Sequence, residues 1–183
     1  MTGRLPELSS EEEAAILAGV RAGGDARRAA TDGLCRSLRE PLFALCLHLT
    51  GRRADAEDAV QEVLVAVHRG LPDFRGASRL TTWVYRIALR AAFQARARRR
   101  DPEPLDPETP GGGGEGEMAS RDRARKVAAA MGRLPAEQRA VLSLFAVEGL
   151  SHREVADILG VPEGTVWSRL HAARRALLET VPS

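Results

Sequence analysis

The sequence has very few of the residues that build metal centres and disulfide frameworks. Cys35 and Cys46 are its two cysteines, they do not form a close pair, and together with His48 they leave a tetrahedral metal site without a fourth ligand. Both lie in an apolar segment with a helical pattern, where a free cysteine behaves as a small core residue. We therefore expect neither a metal ion nor a cofactor.

Long apolar runs are absent as well. No stretch reaches the roughly 18 apolar residues of a membrane helix, and residues 11 to 13 are glutamates where a secretory signal would have an apolar core. Apolar residues nowhere alternate with the period of a strand, which predicts an all-α fold. We expect a cytoplasmic protein without membrane insertion.

Charge of one sign is missing from two adjacent segments, although the net charge is only +2. Residues 74 to 100 contain eight arginines and no acid, whereas residues 101 to 117 contain six acids and no base. The acidic segment also has four prolines and five glycines, a composition that cannot bury a core. We predict two small helical domains joined by a flexible linker: an N-terminal arm (1–24), a first domain (25–100), the linker (101–119) and a second domain (120–183).

The two segments up to Thr50 show no candidate functional residues, and we expect them to have a structural role. Residues up to about Gly24 are predicted to form a helix or a loose arm. A helical pattern of leucines follows up to Thr50, within which Pro41 is expected to begin a new turn.

The segment 149–177 predicts two short helices joined by a tight turn. Ser151 and Glu154 have the spacing of a capping box, which fixes the start of the first helix, and Gly160 has the place of a left-handed residue at its end. In the second helix one stripe is apolar and predicted to be buried: Val166, Leu170, Ala173 and Leu177.

The opposite face of that second helix carries cationic and hydrogen-bonding side chains, including Trp167, Ser168, His171, Arg174 and Arg175. A helix of this kind after a tight turn is typical of proteins that read the DNA major groove, because arginine can bond guanine edges there. The alternative is a helical hairpin packed within a core.

The predicted helix 54–70 has two different faces. One is an apolar core stripe, and the other carries Asp58, Gln61, Glu62 and Val65. A valine among exposed polar side chains suggests a contact surface. A solvated acidic face with one stray apolar residue explains the same spacing.

A loop at 73–79 leads to a long helix with a predicted buried stripe of Leu80, Val84, Ile87 and Ala91. Trp83, Arg86 and Arg90 lie on the neighbouring stripe. Aromatic rings stack on unpaired bases while arginines hold phosphates, so this stripe suits single-stranded nucleic acid. A tryptophan near a helix start can equally belong to the core.

Five motifs together resemble the extracytoplasmic-function (ECF) sigma factors, the compact class of sigma subunit of bacterial RNA polymerase. They are DAEDAVQEV (55–63), FRG (74–76), TWVYRIA (82–88), LPAEQR (134–139) and GTVWSRL (164–170). The resemblance covers roughly residues 25 to 183, in the family's order, and implies a protein that acts by binding and not by catalysis.

The resemblance implies three sets of contact residues, one for polymerase and two for promoter DNA. Asp58, Gln61, Glu62 and Val65 would bind core RNA polymerase, which the family contacts through the beta-prime clamp helices and the beta flap. Minus-10 DNA, opened to single strands, would contact Phe74, Arg75, Arg79, Trp83, Arg86 and Arg90. Duplex minus-35 DNA would contact Thr165, Trp167, Ser168, Arg169, His171, Arg174 and Arg175. The family also implies an anti-sigma partner.

The chain departs from the family's usual pattern at Leu89, Arg90, Trp167 and Ala172. Trp167 stands where a lysine or arginine is common, so the promoter preference does not follow from the resemblance. The alternative function is a free-standing helix-turn-helix regulator that binds duplex DNA without polymerase. The arginine and aromatic helix of the first domain argues against it, and an enzyme such as a recombinase would need a catalytic domain with strands.

Overall fold

The computed structural model describes residues 4 to 98 and 126 to 180, and these residues form helices and loops without a strand. The prediction of an all-α fold is confirmed. The predicted linker 101–119 lies outside the described residues. The helices are α1 (Ser10–Ala22), α2 (Gly24–Thr50), α3 (Arg53–Gly70), α4 (Leu80–Ala97), α5 (described over 126–133), α6 (Ala136–Leu142), α7 (His152–Leu159) and α8 (Glu163–Thr180).

The first domain is built on α2, α3 and α4, which pack against one another through apolar stripes. On α4, Leu80, Val84 and Ala91 are buried as predicted, whereas Ile87 is half-buried. α2 runs without a break through Pro41, where the sequence predicted a new turn. Its buried leucines continue on both sides of the proline, and their packing offsets the backbone hydrogen bond that proline cannot make.

The N-terminal segment, predicted as a helix or a loose arm, contains α1, which packs on α2. Its start is a capping box: Glu12 N–H donates to Ser9 Oγ at 3.1 Å, and Ser9 N–H donates to the Glu12 carboxylate at 2.8 Å. Those hydrogen bonds lower the pKa of Glu12. Ahead of the helix, Leu5 is buried in the core, so the arm is part of the fold.

The second domain contains the predicted helix-turn-helix. Ser151 and Glu154 form the expected capping box at the start of α7, and those hydrogen bonds lower the pKa of Glu154. Gly160 ends α7 in the left-handed conformation, with φ of 66°. Within the stripe of α8, Val166, Leu170 and Ala173 are buried and Leu177 is half-buried.

A π-turn lies between α6 and α7. Residues Ser143–Val147 continue α6 with a wider winding, and Glu148 N–H donates to Ser143 O at 3.1 Å. Gly149 then has a positive φ of 66°, and Leu150 N–H donates to Leu144 O at 3.1 Å. After this turn, the Glu148 side chain is directed toward α4 of the first domain.

The two domains pack against each other, and two arginines lie where helices from both domains end. Arg139 of α6, only 2% exposed, donates to Leu49 O at the end of α2 (3.3 Å) and to Leu134 O just after α5 (2.6 Å). Arg96 of α4 donates to Thr50 O at 3.3 Å and to Gly132 O. Carbonyls at helix ends lack intrahelical partners and carry partial negative charge, so these guanidinium groups join the ends of α2 and α5.

Glu148 is the buried acid at this contact. Its Oε2 accepts from the Tyr85 hydroxyl of α4 at 2.8 Å and from Leu5 N–H of the arm at 3.2 Å. Its Oε1 is buried and has no hydrogen-bond partner among the described residues. Burial raises the pKa of Glu148 because it disfavours the charged form, although the Tyr85 and Leu5 hydrogen bonds and the charge of Arg4 act in the opposite direction. We call Leu5, Tyr85 and Glu148 the Glu148 cluster.

The two thiols are free, and they differ in exposure. Cys46 is fully buried in α2, and burial raises its pKa to about 12. Cys35 is half-buried, with a pKa raised mainly by burial. Within residues 4–98 and 126–180, no helix has the length and apolar character to span a membrane, and no group of three or more His, Cys, Asp or Glu residues is arranged to hold a metal ion.

We expect Glu148→Gln to remove a pH dependence from the free energy of unfolding. A carboxyl group with a raised folded pKa contributes stability that is fully present below its ordinary value, 4.5, and that is lost as the pH rises through the folded value. The amide does not titrate. The melting temperature of the wild type minus that of Glu148→Gln should therefore fall as the pH rises from about 4.5, measured by calorimetry in matched buffers.

Two other titratable groups near Glu148 do not interfere in this range. The pKa values of Tyr85 and Cys46 are both raised away from neutrality. A melting-temperature difference that stays constant with pH would contradict the raised pKa of Glu148.

Candidate nucleic-acid and protein interfaces

The polar face of α3 is an open surface at three of its four predicted positions. Asp58 and Gln61 are exposed, and Val65 is 48% exposed. Glu62 differs, because it is half-buried and forms an ion pair with Arg98 at 2.5 Å. The surface open to a partner is therefore centred on Asp58, Gln61 and Val65.

Phe74 and Trp83 form an aromatic pair at the start of α4. Their ring centroids are 5.3 Å apart at an interplanar angle of 47°, and both side chains are half-buried. Gly70 makes this arrangement possible, because a Cβ at that position would lie 2.9 Å from Trp83 Cζ2. Trp83 is thus part core and part surface, between the two alternatives that the sequence left open.

The four arginines predicted to contact the same nucleic acid divide into two groups. All four are exposed, and they differ in their hydrogen bonds. Arg79 donates to Leu8 O of the N-terminal arm at 2.5 Å, and Arg86 donates to Asp157 O at 2.6 Å and Ile158 O at 3.1 Å, at the end of α7. Two of the four arginines are therefore bonded to the arm and to the second domain.

The predicted minus-35 face of α8 is largely solvent-exposed. Trp167, Ser168, His171, Arg174 and Arg175 are exposed, whereas Thr165 and Arg169 are half-buried. Arg169 forms an ion pair with Glu137 of α6 at 2.6 Å, and Ser168 Oγ donates to Thr165 O at 3.0 Å. Because one face of α8 is open to solvent, the helix is not a hairpin buried within a core.

A stack of rings joins α8 to the π-turn and to the first residue of α7. The Trp167 and His152 rings are parallel, with centroids 3.9 Å apart and an interplanar angle of 5°, and the Phe145 ring lies 4.6 Å from that of His152. The guanidinium of Arg174 lies 5.4 Å from the Phe145 ring centroid, close enough for a cation–π contact. Trp167 is 58% exposed, so the stack supports a ring whose other surface is open to solvent.

Sequence reasoning missed this stack, because its members come from three separate elements. The periodicity of a single helix gives no signal for a contact between positions 145, 152 and 167. It also missed the pairing of Arg86 with the end of α7. An exposed arginine has the same pattern whether its partner is a phosphate or a carbonyl.

Two family descriptions match the chain and together cover most of it. Residues 34–101 match "Sigma-70 region 2", and residues 124–177 match "Sigma-70, region 4". The first match contains α3 and α4, and the second contains the helix-turn-helix.

Curated relatives are similar along most of their length. The ECF RNA polymerase sigma factor SigM of Mycobacterium tuberculosis (strain H37Rv) is 36% identical over 170 residues, which cover 91% of this chain and 84% of SigM. The ECF RNA polymerase sigma-E factor of Escherichia coli (strain K12) is 35% identical over 137 residues, or 67% of this chain and 72% of that protein.

Two solved structures have a similar fold. CnrH, in complex with the cytosolic domain of CnrY, superposes with a TM-score of 0.68 at 23% identity, covering 91% of this chain and 95% of CnrH. The sigma factor RpoE of Bartonella quintana, in complex with the anti-sigma factor NepR, superposes with a TM-score of 0.58 at 26% identity, covering 76% and 88% of the two chains.

We expect Gly70→Ala to lower the free energy of unfolding. The new methyl group would lie 2.9 Å from Trp83 Cζ2, and the indole, packed on Phe74, would have to move. Overpacking of this kind costs about 1–3 kcal/mol. Urea unfolding followed by circular dichroism measures the change.

Gly33→Ala is the matched control, since Gly33 also lies in a helix and an added Cβ would meet nothing within 4 Å. This substitution should raise the free energy of unfolding by about 0.5–1 kcal/mol. If both variants were stabilised, the contact between Gly70 and Trp83 would not be a constraint on the fold.

Proposed function

Because the chain belongs to the ECF sigma factors of RNA polymerase, we propose that it uses three separate surfaces to initiate transcription. The exposed face of α3 binds core polymerase, the start of α4 binds the opened minus-10 element, and α8 binds the minus-35 element. A subunit of RNA polymerase works in the cytoplasm. The observation that carries the assignment is the match of both sigma regions, in the family's order, along one chain.

The chain is an RNA polymerase sigma factor, and sigma factors are transcription initiation factors that act without catalysis. A free-standing helix-turn-helix regulator would account for residues 124–177 alone. It would not account for residues 34–101, which match region 2.

Polymerase binding through α3 is supported by the exposed apolar side chain of Val65 among polar neighbours. Asp58, Gln61 and Val65 form a continuous open strip along the helix. Charged side chains around an apolar contact steer association and set its orientation. Glu62 also connects α3 to the end of α4 through its ion pair with Arg98.

Single-strand binding at the minus-10 element is supported by the Phe74 and Trp83 pair, with Arg75 and Arg90 exposed. Stacking on an aromatic side chain contributes about 1–3 kcal/mol per base. The pair holds its rings in a fixed arrangement, and the exposed arginines supply positive charge for phosphates.

Minus-35 binding is supported by the open face of α8, where His171, Arg174 and Arg175 follow the supported ring of Trp167. Arginine is the side chain that most often reads guanine in the major groove. A large ring at position 167 contacts thymine methyl groups or sugars in place of the hydrogen bonds that a lysine or arginine would make.

An anti-sigma protein is the protein partner we propose besides polymerase. The structurally similar RpoE of Bartonella quintana is in complex with the anti-sigma factor NepR. A partner of this class would compete with polymerase or promoter DNA for one of the three surfaces.

Combining Asp58→Arg with Gln61→Arg should leave the chain folded and weaken core polymerase binding by at least about tenfold. Both side chains are exposed, and substitutions at such positions cost about 0.5 kcal/mol or less. The choice leaves the Glu62 and Arg98 pair intact. Competition against labelled wild type for purified core polymerase measures the affinity.

The control combines Ser37→Arg with Glu40→Arg on α2. It also replaces one acid and one neutral polar residue three positions apart, at exposed positions of a helix. Its affinity should equal that of the wild type. Equal losses in both variants would remove α3 from the polymerase contact.

Arg174→Ala should weaken minus-35 binding in a way that depends on sequence. If Arg174 reads one base pair, its removal costs about 1–3 kcal/mol on the preferred site and little on a site changed at that pair. Binding to duplexes that the holoenzyme selects from a random library, and to their point variants, measures both quantities. Arg36→Ala, an exposed arginine of α2, is the control and should change neither. A loss equal across all duplexes would make Arg174 a phosphate contact.

A further inference from the structure

We propose that His152 is a positioning residue for minus-35 recognition, because it holds the Trp167 ring in one orientation in which the ring contacts the methyl group of a thymine. The inference rests on the proposed function, since it takes α8 as the helix that binds the minus-35 element. It adds the base that the tryptophan selects and the residue through which the fold fixes that choice.

The first step is the orientation of the Trp167 ring. It lies parallel to the His152 ring, with centroids 3.9 Å apart and an interplanar angle of 5°. This contact covers one face of the indole, while the side chain as a whole remains 58% exposed. The exposed part of the ring is therefore on the side away from His152.

The second step is the placement of His152 itself. Phe145, in the π-turn, packs on the imidazole with ring centroids 4.6 Å apart, and His152 is half-buried. Its Nε2 atom is buried and makes no hydrogen bond to the residues that the structure describes. The imidazole thus contributes ring surface to this contact, and its Nε2 contributes no hydrogen bond.

The stack changes the cost of using Trp167 as a DNA contact. An exposed tryptophan without a stacking partner would populate several rotamers, and ordering it on DNA would cost conformational entropy. The contact with His152 selects one orientation before DNA binds. Preorganisation of this kind raises affinity, and a ring that is fixed in place fits one groove surface better than others.

The position of Trp167 in α8 determines what the ring meets. Trp167 is the fifth residue of the helix, and the N-terminal residues of a recognition helix contact base edges. Thymine alone presents an apolar group in the major groove, its 5-methyl group. Exposed indole surface gains free energy when it is buried against a methyl group, but it would leave polar edges of the other bases without partners. Trp167 therefore selects a thymine, where a lysine or arginine would favour guanine.

The test replaces thymine by deoxyuracil, one position at a time, in the duplex that the holoenzyme of this chain and core polymerase selects from a random library. Uracil pairs as thymine does and lacks only the 5-methyl group, so the change removes an apolar contact and no hydrogen bond. Competition binding at one fixed salt concentration measures the loss of affinity, which we call the uracil effect. At the position that Trp167 reads, it should be about fourfold in the wild type.

Two substitutions locate the origin of the uracil effect. Trp167→Ala should abolish it at that position, because the methyl group then has no partner. His152→Ala keeps the indole but frees its orientation, so the effect should fall below about twofold and affinity for the thymine duplex should fall as well. When Trp167→Ala is already present, adding His152→Ala should change the uracil effect no further.

His152→Phe is the conservative variant. A phenyl ring keeps the stacking surface, and the Nε2 atom that it replaces makes no hydrogen bond to the described residues. The uracil effect should therefore keep its wild-type size. If His152 bonded DNA directly, His152→Phe and His152→Ala would lose affinity equally on all duplexes and the uracil effect would persist, which would overturn the positioning role.

His48→Ala is the matched control, because it also removes one imidazole, from an exposed position of α2. It should leave both the affinity and the uracil effect at the wild-type values. A reduced uracil effect in this variant would show that the loss in His152→Ala does not come from the stack.

Far-ultraviolet circular dichroism checks that each variant is folded. If His152→Ala does not fold, Phe145→Leu decides the result, because it removes the ring that packs on His152 and should also reduce the uracil effect. A uracil effect of wild-type size in the folded variants would overturn the positioning role. No uracil effect at any position in the wild type would overturn the thymine contact and leave the ring on a sugar.

The same experiment keeps this inference apart from the proposed function. A holoenzyme that selects no minus-35 sequence from the library contradicts the proposed function. Selection of a sequence without a uracil effect that depends on residues 152 and 167 contradicts only the inference about the ring stack.

Discussion

The arrangement of this molecule depends on arginines, the buried Arg139 and the half-buried Arg96, that satisfy the carbonyl ends of helices. Arg139 lies between the end of α2 in one domain and the residues after α5 in the other, and Arg96 approaches the same two helix ends from α4. Each carbonyl that lost such a donor and stayed buried without another would cost about 1–3 kcal/mol. The contact between the domains is therefore specified by polar groups as well as by apolar packing.

The same chemistry recurs where the proposed minus-10 surface meets the second domain. Arg86 satisfies the end of α7 as Arg96 and Arg139 satisfy those of α2 and α5. A guanidinium group binds a phosphate at least as well as a carbonyl, because charge strengthens the hydrogen bond. Arg86 belongs to the proposed minus-10 surface, and it makes to α7 the same kind of bond that it would make to a phosphate.

Features that depend on residues close together in the chain could be predicted from the sequence. Features that depend on contacts between distant residues could not. The capping box at Ser151, the end of α7 at Gly160 and the apolar stripe of α8 are signalled within one or two turns. The continuity of α2 through Pro41 was missed because a local rule for proline was outweighed by packing on both sides. The site residues show the same division. Helical spacing predicted the exposure of Trp167, Ser168, His171, Arg174 and Arg175. It gave no signal for the partners of Arg79, Arg86 and Trp167, which are 71, 71 or 72, and 15 positions away in the chain.

The π-turn at residues 143 to 147 has a consequence for how such chains can diverge. A turn of this kind holds one more residue than an α-turn, so it behaves as a one-residue insertion in α6. Deleting a residue there would restore regular winding, but it would rotate everything that follows by about 100°. Glu148 would then leave Tyr85, and Phe145 would leave the ring stack. A change in the length of this segment would therefore alter both the domain contact and the ring stack that supports α8.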